Sequence, residues 1–301
     1  MRIKQVPEWN REVLLQSPLF APLHPILAGL DTGDFPTLQD FNSLLDATTS
    51  HSTRLPKNGK QVAGYASRHS PITVQSGAPL RFVAQERGKL PFEAQYEPRC
   101  YLNGEVPTRA DNWHDLLNAL VWLTFPKAKA AINARHYDAL KEEMAMGNTV
   151  RGPVRDVNTL LDESGVIVVY ADAHSGIELA ELLCNFKWKE LFWQRREQVR
   201  AAMGFYLFGH GLYEKALQPY VGMTGQGLLL AVEPAFFSWP LAQQLVHLDS
   251  LLADYLSAPE HCRSTRDLSP VPLLGVPGWA ADNDREAYYD NTAYFRAGRR
   301  G

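Results

Sequence analysis

His114, Asp115 and Asn118 stand within seven residues, Asn112 to Asn118, at the start of an apolar stretch. His114 and Asn118 are four apart and share one face of a helix, with Asp115 one step round. A neutral imidazole and a carboxylate this close either bind a divalent metal or pair as base and orienter in proton transfer. They serve equally well to bond the orphan amides of a first helical turn, where a carboxylate is favoured.

Four further groups carry comparable chemistry. Asn133, Arg135 and His136 lie one helix later, and Asn133 and His136 share a face. The tight Phe125-Pro126 corner either folds that face back towards His114 or leaves it as polar surface. His210 and Glu214, in Phe208-Gly209-His210-Gly211-Leu212-Tyr213-Glu214, have the H-x-x-x-E spacing that helical metal sites use. Glycines cost helix stability, so the pair flanking His210 points to close backbone approach or a cavity. The alternative is a core histidine bonded to Glu214. Arg151 and Arg155, around the Gly152-Pro153 turn, either clamp an anionic group or salt-bridge Asp156 and Glu163. Asp162 and Glu163 themselves read first as turn residues. Met223-Thr224-Gly225-Gln226-Gly227 lacks the rest of a phosphate-loop pattern and reads as a turn.

The elements that must hold these groups follow from periodicity and punctuation. Residues 36–47 have helical apolar spacing, and Asn58-Gly59 marks a turn. From about Gln61 to Tyr101, short runs at 71–74, 80–83 and 92–96 read as strands. Trp113 to Thr124 is an apolar helix with Asp111 or Asn112 as N-cap. Pro126 then opens a second helix running to about Met146, closed by Gly147-Asn148. Residues 157–170 read as a β-hairpin around Asp162-Glu163-Ser164-Gly165. Ser175-Gly176-Ile177-Glu178 has the form of a capping box. A long helical stretch is expected from Trp188 to Leu217, a strand at 225–232, and a helix at 240–256 with a leucine face. The tail from Leu268 carries prolines and then Trp279, Tyr288, Tyr289, Tyr294 and Phe295. So aromatic a segment is expected to lie across the body as an ordered strap. The fold class expected is α+β: a mostly helical single domain over 1–301, with short antiparallel strands. Residues 1–60 would form a helical N-terminal segment, and 268–301 an extended tail packed on the domain.

Composition narrows the function classes. A net charge of -3 lacks the basic footprint of a nucleic-acid binder. No apolar run approaches a membrane span, and the polar start resembles no secretory signal. Cys100, Cys184 and Cys262 stand far apart and form no CxxC pair, which suits a reducing cytoplasm. No G-x-S-x-G elbow, H-E-x-x-H helix, Walker loop or dinucleotide fingerprint is present.

Residues 112–122 (NWHDLLNALVW) with Phe125-Pro126-Lys127, and residues 151–156, 161–165 and 208–214, resemble stretches of an uncharacterised bacterial family, domain of unknown function 3025. The tail at 274–279, 289–290 and 294–296 is similar to that family's ending. The resemblance implies a soluble bacterial protein whose domain fills the sequence, and carries over no catalytic residue.

Three functions compete. In a metal-assisted hydrolase, His114, His136, His210 and Glu214 would hold a divalent ion between helices, with His114, Asp115 and Asn118 at the reacting centre. In a metal-free enzyme, His114 and Asp115 would act as acid/base pair, with Arg151 and Arg155 holding an anionic small molecule. In a binding or scaffold protein, the aromatic tail and residues 188–193 would form a partner surface or homodimer interface.

Overall fold

A computed structural model describes residues 8–49, 71–147 and 151–298. The turn expected at Asn58-Gly59 and the start of the strand region near Gln61 lie outside these residues. The chain leads with short helices α1 (Arg11–Gln16), α2 (His24–Gly29) and α3 (Leu38–Thr49), then β1 (Arg81–Ala84), α4 (Tyr96–Asn103) and β2 (Glu105–Thr108). Three helices follow directly: α5 (Trp113–Thr124), α6 (Pro126–Ala145) and α7 (Pro153–Ser164). The remainder runs β3 (Gly165–Ala171), α8 (His174–Cys184), α9 (Arg196–Ala202), β4 (Met203–Leu207), α10 (His210–Ala216), β5 (Thr224–Val232), α11 (Leu241–Ser257) and β6 (Ser269–Pro272).

The α+β class and the helical majority hold, and the strand pattern needs correction. The larger sheet is mixed, in the order β4-β3-β5-β6: β3 runs parallel to β5 and antiparallel to β4, and β6 is antiparallel to β5. The small β1-β2 pair is parallel. No hairpin spans 157–170. Pro153 sits at the first helical position, and Val157, Asn158 and Leu161 bury one face, so this half is helix α7. Only Gly165–Ala171 is strand, and its unbroken apolar run suits a central strand with neighbours on both edges. Asp162 and Glu163 therefore occupy the last helical turn, not a hairpin loop.

Other boundaries shift for related reasons. The helix expected from Trp188 to Leu217 breaks into a π-turn at Glu190–Gln194, α9, β4 and α10, because β4 is recruited to the sheet by β3. Residues 92–96 are a 3-10 turn running into α4 rather than a strand. Helix α8 starts at His174 with no side-chain cap, so Ser175 does not form the capping box. The corner at Phe125-Pro126 is as expected: Asn112 caps α5 by accepting from the Asp115 amide, Phe125 ends it, and Pro126 opens α6.

One continuous apolar cluster extends from Leu14 to Phe295 and includes nearly the whole of α5. The tail is an ordered strap, as expected. Tyr289 and Tyr294 donate to the carbonyls of Gly275 (2.9 Å) and Met223 (2.8 Å), and Asn283 donates to those of Leu274 and Val276. Its aromatic residues Tyr289, Tyr294 and Phe295 are spent inward.

Candidate metal centre

Three elements deliver the site. Helix α5 is buried from Asp115 to Leu123, while His114 in its first turn is left half-buried. Helix α7 ends in Asp162 and Glu163. Helix α10 starts at His210 and carries Glu214 one turn on. Close approach of the last two depends on the glycines flanking His210. A Cβ on Gly209 would overlap the backbone at Glu163–Gly165, and one on Gly211 would overlap the Glu163 carboxylate. Both junctions are pinned, because the Phe208 and Gly209 amides donate to the Gly165 carbonyl at 3.0 and 2.9 Å.

The face bearing His114 meets the face bearing His210. Their Nε2 atoms lie 3.1 Å apart, and the rings are inclined at 70°. Glu163 Oε1 stands 3.5 Å from His210 Nε2 and 3.8 Å from His114 Nε2. One ligand atom from each of these three residues falls within a 4.8 Å span. The other side of each ring faces a carboxylate. His114 Nδ1 is 2.9 Å from Glu214 Oε2, and His210 Nδ1 is 3.7 Å from Asp162 Oδ2. Glu214 therefore backs His114 and leaves His210 to Asp162.

Behind this cluster runs a buried polar chain. Lys129 of α6, only 3% exposed at its side chain, pairs with Asp162 and donates to Asn118 Oδ1 at 2.9 Å. Asn118 in turn donates to the Tyr96 hydroxyl at 2.8 Å. Asn118 is thus clamped from both ends. Asp115 is committed elsewhere: the Arg109 amide, Nε and Nη2 all donate to its carboxylate at 2.7–2.9 Å. Burial pushes Asp115 up, and those Arg109 bonds pull it below the usual carboxylate range.

A pocket of about 270 Å³ opens on the cluster, and Glu97, His136, Thr159 and Arg109 contribute to its walls. His136 lines the pocket but does not join the triad of ligand atoms. Its neighbour Asn133 donates to Glu97 Oε2 at 2.6 Å, whereas Arg135 points away and binds carbonyls at 256–262. Arg151 pairs with Asp156, and Arg155 with Glu143 at 2.7 Å. Both arginines are engaged in ion pairs outside the pocket lining.

Sequence reasoning took Asp162 and Glu163 first as turn residues, and passed over Lys129, Arg109 and Glu97. The signal available for the first two was the helical spacing of Val157 and Leu161, which carries the helix through Glu163.

Burial shifts the titration of the site. It drives His136 and His210 down to about 4, so both are neutral at pH 7, the state a metal ligand needs. Burial pushes Glu97 up to about 7, against its bond from Asn133. Burial also raises Glu163, with the Asp162 and Glu214 carboxylates adding to the rise and His114 opposing it.

The pH dependence of stability follows. An unfolded histidine titrates near ~6.5, so the two buried rings contribute stability that is fully present above that pH and lost as pH falls towards 4. Each is worth about 3 kcal/mol when fully lost, because a tenfold change in proton affinity corresponds to ~1.4 kcal/mol. Glu97 runs the other way: its contribution is present at low pH and lost as pH rises through its folded value. Urea denaturation of the metal-free protein is expected to show a net loss from these three groups of about 2 kcal/mol from pH 6.5 to 4.5. Glu97→Gln removes the opposing group and steepens that loss.

No curated protein and no solved structure matches the chain. Among the described residues, no helix is long and apolar enough to cross a membrane. One family model matches, over residues 80–299, a span that takes in every residue of the histidine cluster and its polar backing. The chain therefore belongs to the family described as Protein of unknown function (DUF3025).

Proposed function

We propose that the protein is a metal-dependent hydrolase whose divalent ion is held by His114 Nε2, His210 Nε2 and a Glu163 oxygen. One observation carries this reading: both imidazoles turn Nε2 to a common point and Nδ1 to a carboxylate. At His114 the bonded carboxylate is the backing that fixes a ligating histidine's tautomer and raises its basicity, whereas at His210 the Asp162 carboxylate stands 3.7 Å away and supplies charge without a hydrogen bond. When both rings carry their proton on Nδ1, two lone pairs face each other at 3.1 Å. Such an arrangement repels itself unless a cation lies between. Ligands held ~2.1 Å from a tetrahedral ion are about 3.4 Å apart, close to the 3.1–3.8 Å separations here.

Two nitrogens and one carboxylate suit zinc or a neighbouring first-row ion. Three protein ligands leave a fourth position for water, the pattern of catalytic rather than structural sites. Bound there, the ion lowers the water's pKa to ~7 and polarises a substrate oxygen. Glu97 and the neutral His136, on the walls of the same small pocket, supply hydrogen bonds and a proton-accepting group near neutrality. The pocket's volume limits the portion of substrate it encloses to a small polar group. A metal-free His114–Asp115 pair is disfavoured because the Asp115 carboxylate is taken up by Arg109. Three free cysteines fit a cytoplasmic enzyme.

Protein purified without a histidine tag is expected to carry close to one equivalent of a first-row metal by mass spectrometry, and to melt at lower temperature after chelation. Sub-stoichiometric metal after supplementation, with melting indifferent to chelator, removes the reading.

A further inference from the structure

A second pocket, of about 370 Å³, opens where the first described residues meet the start of α5. Its walls are Trp9, Phe35 and Trp113, and its rim carries Glu8, Asp34 and Asp111. The ring centroids are 5.5–6.1 Å apart, and the planes are inclined by 40–82°. At these separations the rings touch one another, tilted or edge to face, and form one aromatic corner on the pocket wall. Among the described residues, no lysine or arginine lines the pocket and the three rim acids form no ion pair.

We propose that this pocket binds a small molecule bearing a methylated ammonium group, with trimethylammonium as the type. The face of an aromatic ring is negative and attracts a cation placed over it. A cation seated ~3–4 Å above the triangle of rings lies within about 5 Å of each centroid, inside the ~6 Å reach of the interaction. The exposed carboxylates add a negative field at the mouth. A quaternary ammonium has no N–H to donate, so rings and field select it where hydrogen bonds would select a primary amine. The volume admits a free small molecule whole. Its lining shares no residue with that of the pocket on the histidine cluster, and the site stands whether or not that cluster holds metal.

Isothermal titration of the full chain with choline chloride tests this. Saturable binding is expected, about tenfold tighter than for 3,3-dimethyl-1-butanol, the neutral isostere of the same shape. Glycine betaine should bind more weakly than choline, because its carboxylate meets the acidic rim. Trp9→Leu should weaken choline binding about tenfold, and Asp34→Asn on the exposed rim should weaken it measurably. Phe35→Leu replaces the first variant if that one fails to fold by circular dichroism. No binding at tens of millimolar choline overturns the proposal, and so does equal binding of the isostere or unchanged affinity in the variants. Co-sedimentation with phosphatidylcholine vesicles, without binding of free choline, assigns the pocket to a lipid headgroup and likewise overturns it.

Discussion

His114→Ala is expected to abolish stoichiometric metal binding, and Glu214→Ala to weaken it roughly 10- to 100-fold, with both variants folded as the parent. The gradation follows from the geometry. His114 presents Nε2 to the shared point, and Glu214 reaches only its Nδ1. Removing the first deletes a ligand. Removing the second leaves the ligand but frees its tautomer and orientation, the usual penalty for losing an outer partner. Folding should survive both changes because the two side chains are 32% and 47% exposed. Relief of carboxylate crowding around Glu163 further favours the metal-free Glu214→Ala variant. Dissociation constants measured by competition with a chromogenic chelator check the order. Equal affinities for parent and Glu214→Ala would show that the Nδ1 contact does no metal-related work. Tight binding by His114→Ala would move the site elsewhere.

The meeting of His114 with His210 was legible because polar residues on apolar helices must find partners, and glycines beside a histidine must admit a neighbour closely. What lay behind them was not. Glu163 is hidden inside Asp162-Glu163-Ser164-Gly165, which has the composition of a hairpin turn. Its place at the end of α7 depends on Val157 and Leu161 packing into the core. Lys129 sits in Pro126-Lys127-Ala128-Lys129-Ala130, a pattern that reads as a solvated helix face. The exposed Lys127 does reach Ser250 at the surface, whereas Lys129 turns inward to Asp162. Nothing local distinguishes these two lysines. Their fates are set by α7 and α5, which present a carboxylate and an amide to one of them. The sheet was obscured for a similar reason. Met203–Leu207 is too short for periodicity to separate strand from helix, and its pairing with β3 decides the matter.

Lys129→Met is expected to destabilise the protein by about 3–5 kcal/mol. The Lys129 side chain is almost wholly buried, and its ammonium pairs with Asp162, donates to Asn118 and lies 5.4 Å from the Trp122 ring centroid. Methionine keeps most of the volume, so packing loss is a minor part of the effect. The cost arises at Asp162, whose side chain is 17% exposed. Burial pushes this carboxyl up, and Lys129 with His210 pulls it below the ordinary range. Without the lysine a buried charge is left uncompensated, or the carboxyl must take a proton at neutral pH. Asn118 also loses its donor. Removing the whole pair is a different matter, since exchanging both partners of a buried ion pair for neutral groups is often close to neutral. Lys129→Met/Asp162→Asn should therefore recover most of the stability in urea denaturation. Its metal affinity should stay reduced by roughly 10- to 100-fold, because His210 Nδ1 then faces an amide instead of a carboxylate. Stability restored without affinity restored assigns Asp162 two separable tasks, pairing Lys129 in the core and orienting His210 at the site. Recovery of both together would mean that the carboxylate matters to His210 only through the fold.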